Sequence, residues 1–402
     1  MHSSVRDLVT SASAAELPAY VYDLSTLRDH AAAVRAALPP AVELYYAAKA
    51  NPAPEILTAL REAVTGYEVA SGGELAHVRE AVPGAPVAFG GPGKTPDEIA
   101  AALAAGTERF HVESVHELRL LAALAARTGR HARVLLRVNP PVDGGAPDGV
   151  ASALEGVALA MGGRPTPFGL DPDAVAECLR LLREPDFGNL ALCGIHAHLA
   201  SGLDAEAQLA LARRIVAYAA GLLATHPVPD AEVNLGGGMA VDYADPERRF
   251  DWTAFGTGLA EIAREKPELT LRIEPGRALT AYCGWYATEV LDVKHSHGED
   301  FAVLRGGTHH LRTPVTRGHD QPFALLPVEA WPHPWPRPAT GGGRITLVGQ
   351  LCTPKDVFAR RVPATGLRAG DRVAFAMAGA YAWNISHHEF LMHPRPRFHY
   401  VG

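Results

Sequence analysis

The sequence predicts a (β/α)₈ barrel followed by a β domain, and three observations predict it. Between residues 24 and 280 short apolar runs alternate with Ala- and Leu-rich stretches of helical period. Eight such runs can be counted, which is the strand number of that barrel. Beyond about residue 280 the helical period fades and runs rich in β-formers replace it.

Taken in order, Ala19-Tyr20-Val21-Tyr22-Asp23 is strand-like and is assigned with residues 1–23 to the β domain. The barrel spans 24–280, with strands expected at 44–50, 66–71, 86–91, 109–114, 132–139, 192–199, 232–236 and 269–274. Helical patterns lie between them, as at 96–105, 114–127 and 204–224. A Gly- and Pro-rich loop at 140–166 interrupts the alternation after strand five. In the β domain, 281–402, strands are expected at 285–293, 301–305, 344–349 and 372–376, with a Pro- then Gly-rich loop at 331–343.

Composition narrows the function. At 402 residues the chain can bury a large core in two domains. A net charge of −7 without blocks of like charge argues against nucleic acid as the partner. No run of about 18 apolar residues is evident and no secretory signal opens the chain, so no membrane span and a cytoplasmic location are expected. Cys178, Cys193, Cys283 and Cys352 lie far apart, so free thiols and no metal centre are expected.

In a barrel, chemistry collects where the strands end. Strand one ends in Lys49, and Asn51-Pro52 stops it at once. An amine at the mouth of a buried strand is a candidate Schiff-base nucleophile, because desolvation favours its neutral form. Strand two runs into Glu68 and Ser71-Gly72-Gly73-Glu74, and strand five carries Arg137. Strand six carries His196 and His198, then Ser201. Strand seven ends in Gly236-Gly237-Gly238 and strand eight in Glu274-Pro275-Gly276-Arg277. A glycine triplet lets backbone N–H groups approach an anion, and phosphate is the usual anion after strand seven. A carboxylate can hold a protonated ring nitrogen, and a histidine can stack on a flat ring. Lysine, phosphate cradle and ring-nitrogen carboxylate together describe pyridoxal phosphate (PLP).

With these residues in place the chain resembles the fold-type III PLP decarboxylases, which include the diaminopimelate, ornithine and arginine decarboxylases and share the alanine racemase-like fold. The matching segments include Tyr46-Ala47-Ala48-Lys49-Ala50-Asn51, Ala70-Ser71-Gly72-Gly73-Glu74-Leu75, Gly90-Gly91-Pro92-Gly93-Lys94 and Gly194-Ile195-His196-Ala197-His198-Leu199-Ala200-Ser201-Gly202. Asn234-Leu235-Gly236-Gly237-Gly238, Glu274-Pro275-Gly276-Arg277, Gly349-Gln350-Leu351-Cys352 and Gly379-Ala380-Tyr381 follow in family order. The resemblance implies that Lys49 carries PLP and that His198 stacks on its ring. It implies that Ser201, Gly238, Gly276, Arg277 and Tyr381 hold the phosphate and Glu274 the ring nitrogen, with Gly236 and Gly237 of the triplet also counted as cofactor-binding. Cys352 would come from the partner chain of a homodimer with shared active sites and return a proton after CO₂ leaves. Alanine racemases of this fold place an arginine where Glu274 stands, so Glu274 argues against racemisation.

Two departures bear on the small-molecule substrate. Thr353 follows Cys352 where the family has an acid that in several members grips a distal amine, which puts ornithine, lysine and arginine in doubt. Arg305-Gly306-Gly307 replaces an Asp-Ala-Gly or Asp-Gly motif, and the run Thr308-His309-His310-Leu311-Arg312-Thr313-Pro314 adds basic residues. Arg312 is the nearest match to an arginine that binds the distal carboxylate in diaminopimelate decarboxylases, and Arg137 is a second candidate substrate contact. The segment Asn384–Leu391 also departs from the usual pattern. These features are similar to the siderophore-pathway branch, whose substrate is an amino acid already joined to citrate; diaminopimelate is the alternative.

Phe89-Gly90-Gly91-Pro92-Gly93-Lys94-Thr95 is read as a barrel loop, since Ala88 stands where a P-loop requires glycine. A metal-dependent barrel hydrolase built on His196 and His198, and a catalytically inactive regulator, are alternatives of another class. His309-His310 and His387-His388 read as solvated or substrate-facing pairs. The roles of Glu68 and Glu74 stay open.

Overall fold

The computed structural model describes residues 1–141, 159–160 and 162–402. Residues 142–158 and 161 of the expected 140–166 loop lie outside the described residues. Eight parallel strands close into a barrel: Val42–Ala47, Gly66–Val69, Val87–Phe89, Arg109–Val112, Ala132–Arg137, Leu190–His196, Ala231–Asn234 and Leu269–Ile273. They are called strands one to eight below. Strand eight pairs with strand one, Ile273 opposite Leu44, which closes the ring. Strands two and four are buried at every position, as a sheet covered on both faces requires. The helices after strands two, three, four and six are capped by Ser71, Thr95, Ser114 and Asp204, each of which accepts the backbone N–H three residues on.

Strand one stops at Ala47, earlier than the apolar run suggests. Ala48–Ala50 is a single 3₁₀ turn, because Asn51 is held extended before Pro52 and its Oδ1 takes the Ala53 N–H at 3.1 Å. Lys49 therefore sits on a turn above the strand.

Near the N-terminal ends of the strands the barrel interior holds an ion network. Arg109 donates to Glu232 through Nε at 2.7 and 2.9 Å and also through Nη2. Arg272, 1% exposed, donates to Glu43 Oε2 at 2.6 and 2.8 Å and lies over the Tyr45 ring at 4.0 Å. Tyr45 in turn donates to Glu108.

The helix Ala205–Thr225, expected as a helix at 204–224, is, among the described residues, long and apolar enough to cross a membrane by length and composition, against the expectation of no such run. It also carries Arg213 and Arg214, and it buries Leu211, Ala212, Ile215, Val216 and Ala219 within the protein.

The chain divides into two units, His30–Ala240 with Phe250–Leu279, and Met1–Asp29 with Val241–Arg249 and Thr280–Gly402. The second is built on a mostly antiparallel sheet in the order Phe323–Leu326, Arg372–Phe375, Gly284–Ser296, Glu299–Leu304, Arg344–Val348, Val357–Pro363. Ala19–Asp23 joins it, antiparallel to Gly284–Ser296 and parallel to Arg397–Val401. The helix Ser3–Ser11, absent from the sequence expectation, packs Val5 and Val9 against Ala19, Val21, Ala287 and Ala374.

Candidate active site

The barrel unit gathers its polar residues where the strands end. Lys49 is 44% exposed, and its Nζ donates to Glu68 Oε2 at 2.5 Å. The sequence reading expected a desolvated amine; the structure instead gives it a carboxylate partner and partial access to solvent. Glu68 is the buried member of the pair, and burial raises its pKa against the opposing pull of Lys49. Gly90 makes room for it, since a Cβ there would stand 3.0 Å from Glu68 Oε1.

Glu274 ends strand eight and is 6% exposed. Asn234, at the end of strand seven, donates Nδ2–H to Glu274 Oε1 at 2.6 Å and accepts the Gly236 N–H at 2.9 Å. His196 brings Nε2 to 3.3 Å from Glu274 Oε2. The ends of strands one and eight touch: Ala47 N–H donates to Pro275 O at 3.3 Å, and a Cβ on Gly276 would meet Ala50 Cβ at 2.8 Å. The amine and the carboxylate thus stand on adjacent strand ends, with Arg277 opening the short helix Arg277–Thr280 beside them.

The Gly236-Gly237-Gly238 turn requires its glycines. Gly236 and Gly238 have φ +70° and +98°. A Cβ on Gly236 would meet His198 at 2.8 Å, and one on Gly238 would collide with Ala200 O. The expected cradle is nevertheless smaller than three N–H groups. Gly236 N–H is taken by Asn234 and Gly237 N–H by His198 Nδ1 at 3.2 Å, so among the described residues Gly238 offers the turn's unengaged N–H. Gly237→Ala would drive a methyl into the carbonyl of Glu274, which is backbone and cannot rotate away. Urea unfolding should show a loss of roughly 1–3 kcal/mol, the usual cost of overpacking.

His198 is held by that Gly237 N–H and by Ser201 Oγ, 3.4 Å from its Nε2. Burial first, then the charges of Arg137 and Lys49, push its pKa down to about 3, so the ring is neutral. Arg137, a candidate substrate contact from sequence, is buried and paired with Glu113 at 2.7 Å beneath the Phe168 ring. Its charge reaches the site through the histidines. Glu74 accepts the Ala70 N–H at 2.7 Å in the first turn of its helix, a capping role.

Two residues without an assigned role in the sequence reading shape the site. Lys94, its side chain 1% exposed, donates to Gly91 O, His111 O and Glu117 Oε1 at 2.6–2.8 Å and staples the loop after strand three to strand four. His111 stacks on His196, with ring centroids 4.3 Å apart and planes 13° from parallel. The 3.6-residue and two-residue periods cannot reveal either contact; both arise only when the barrel closes.

Tyr381, Cys352, Thr353 and Arg312 belong to the other unit. There Asp356 accepts the N–H groups of Thr308 and Leu351 at 2.6 and 2.8 Å and ties the 306–313 and 349–356 loops together. Arg312 is exposed, and its N–H donates to Ser386 Oγ at 3.1 Å. Tyr381, at φ +48°, is fixed through its carbonyl by Thr313 Oγ1 at 2.8 Å. Cys352 is exposed. Of the two expectations for His309 and His310, solvated or substrate-facing, the first does not hold: both are at most 1% exposed. Tyr20 and Tyr286, from distant strands, engage the carbonyl and Nδ1 of His310. Burial, then neighbouring histidines, lowers their pKa values to about 4 and about 3. His387 is exposed and His388 half-buried.

Comparison with known proteins identifies the barrel. Residues 24–281 match the model of the pyridoxal-dependent decarboxylase pyridoxal-binding domain. A 2-[(L-alanin-3-ylcarbamoyl)methyl]-2-hydroxybutanedioate decarboxylase of Staphylococcus aureus is 39% identical over 386 residues, 95% of this chain and 93% of that protein. A diaminopimelate decarboxylase of Bacteroides thetaiotaomicron is 30% identical over 376 residues, 91% of each chain. The crystal structure of diaminopimelate decarboxylase from Helicobacter pylori has the same fold, with a TM-score of 0.79 at 24% identity over 95% of this chain and 90% of that one.

Proposed function

The chain belongs to the pyridoxal-dependent decarboxylase family, and we propose that it removes the α-carboxylate of an amino acid whose side chain is joined to a carboxylate-rich, citrate-like group. The observation that carries the cofactor reading is the placement of Lys49 and Glu274 on adjacent strand ends. On the other side of strand eight, the turn after strand seven packs against the Glu274 carbonyl and has no room for a Cβ on Gly236, Gly237 or Gly238. Those barrel residues fit PLP: Lys49 would hold it, Glu274 would face its ring nitrogen, and Gly238, Gly276, Arg277 and Ser201 would take its phosphate, to which the family resemblance also assigns Tyr381.

PLP bound there supplies an electron sink for the pair left behind when CO₂ departs. The protein's own residues set the conditions. Asn234 and His196 fix the orientation of the Glu274 carboxylate. His198, neutral and locked by Gly237 and Ser201, offers a flat uncharged face. Glu68, whose pKa is raised, sits 2.5 Å from Lys49 Nζ and can exchange a proton with it. Cys352, exposed on the sheet unit, is assigned as the proton donor supplied by the partner chain of a homodimer.

The substrate reading rests on chemistry around Arg312. Thr353 stands where an acid would hold a distal ammonium, so a cationic tail lacks its partner. Arg312 is exposed beside Ser386 and His387, and its charge contributes, after burial, to lowering the His387 pKa. That surface suits carboxylates. The name of the S. aureus relative describes such a molecule, an alanine unit linked through an amide to a hydroxy-dicarboxylate.

CO₂ release should favour the citrate amide of 2,3-diaminopropionate over diaminopimelate, ornithine and lysine by at least about 100-fold in kcat/KM, since a pocket with unpaired polar groups rejects the wrong tail strongly. Efficient turnover of free ornithine or lysine would contradict the anionic-tail reading. Preference for diaminopimelate would transfer the assignment to that substrate.

A further inference from the structure

His111 has no assigned role, yet it is placed with unusual care. It lies on strand four, 1% exposed, stacked on His196. Its Nε2 is buried without a hydrogen-bond partner and faces Glu274 Oε1 at 3.8 Å. Leucine or phenylalanine would pack there without leaving a polar atom unsatisfied, so the nitrogen is costly for a residue that only fills space. His111, His196 and Glu274 bring ligand-type atoms within 4.8 Å of one another, which raises a metal site as a second explanation. The stacking argues against it. Rings only 13° from parallel point their lone pairs side by side, whereas one ion needs them to converge.

We propose that His111 is a positioning residue for Glu274: its neutral ring, braced on His196, turns Nε2–H toward the carboxylate and, with Asn234 and His196, keeps that buried group ionised and aimed at the cofactor. The Nε2–H tautomer is assigned because the other would set a lone pair against the carboxylate. The inference rests on the reading of Glu274 as the residue facing the PLP ring nitrogen.

Burial holds both stacked histidines well below the usual imidazole range, so neither adds a positive charge. Lys94 and Arg272 bear on His111 from the loop after strand three and from strand eight. Arg137 and Lys49 act on His196 and His198 from strand five and the turn above strand one, and Glu68 faces Glu274 from strand two. A carboxylate taken from water drifts towards its neutral form unless donors hold it. His111 therefore faces Glu274 with a third N–H, at 3.8 Å, beside the closer Asn234 and His196 and within a ring of fixed charges.

Two variants separate this role from packing. His111→Phe keeps a stacked ring and removes the nitrogen; His111→Gln can return an N–H near the position of Nε2. His111→Phe should lower kcat roughly 10- to 100-fold with KM within about threefold, the range expected when an N–H aimed at a buried charged group is removed. The acid limb of its kcat profile should move to higher pH, and His111→Gln should recover most of the loss. In the PLP-free protein, infrared spectroscopy should show a protonated carboxyl band in His111→Phe at a pH where wild type has none. That band should vanish in the His111→Phe, Glu274→Gln double variant.

Wild-type kcat in His111→Phe, an unmoved acid limb, or a carboxyl band that survives Glu274→Gln would overturn the proposal. If His111→Phe does not fold, His111→Gln decides: near-wild-type kcat and acid limb support the donor role, and loss of kcat with an unmoved limb contradicts it. Full activity in Glu274→Gln alone would instead remove the underlying reading of Glu274, while the infrared result would still report whether His111 controls that carboxyl.

Discussion

Lys49→Ala is expected to lose decarboxylation by about 10⁴-fold or more while remaining folded, because Lys94, the other amine described at the rim, is buried and held by Gly91 O, His111 O and Glu117 and cannot replace a nucleophile that holds the cofactor. The fold should tolerate the change. Lys49 sits on a 3₁₀ turn, 44% exposed, with little apolar burial to lose. Its partner Glu68 is the group left behind, and burial already raises that pKa, so Glu68 can take up a proton once the ammonium is gone. Lys49→Arg sharpens the test. It keeps a cation near Glu68 and offers no nucleophilic amine. Both variants should be inactive in a CO₂-release assay, and both should show the circular dichroism of wild type. Activity within tenfold of wild type in either would remove Lys49 from the chemistry.

The second large effect is on stability. Glu232→Ala should destabilise the protein by about 3–5 kcal/mol, measured by urea unfolding, because it takes from the buried Arg109 guanidinium the carboxylate that binds it. Glu232 is 5% exposed and accepts from Arg109 through both Nε and Nη2, while Arg133 reaches it at 3.2 Å and Arg272 stands 3.6 Å away. The cost belongs to the unpaired charges more than to the pair itself. Replacing Arg109 and Glu232 together by methionine should therefore cost less than Glu232→Ala alone. A single-variant loss below about 1 kcal/mol would mean that water reaches these arginines and that the network does not hold the strands together.

Much of this was legible in the sequence for one reason. A barrel puts its chemistry at strand ends, so Lys49, His198, the glycine triplet and Glu274 could be read off as polar interruptions of apolar runs. Contacts that depend on closure could not. His111 occupies an ordinary strand position, and only the pairing of strands four, five and six in the ring brings it onto His196. Lys94 looks like a loop cation until strand four offers it the His111 carbonyl.

The glycine triplet was legible as a turn but not as a cradle of limited capacity. Asn234 and His198 consume two of its N–H groups through side chains that no spacing rule connects to it. The burial of His309-His310 was not legible because polar doublets in loops are usually hydrated, whereas Tyr20 and Tyr286 arrive from strands far away in sequence. The helix Ser3–Ser11 did leave a signal, Val5, Leu8, Val9 and Ala12 on one face, which the strand-like run after it overshadowed.

The central claim, a PLP site anchored on Lys49, is tested most directly by the visible absorption spectrum of the protein after loading with PLP and removal of the free cofactor. Wild type should retain a visible band that Lys49→Ala, treated identically, does not. A wild-type protein that stays colourless, or a variant that keeps the same band, would contradict the account.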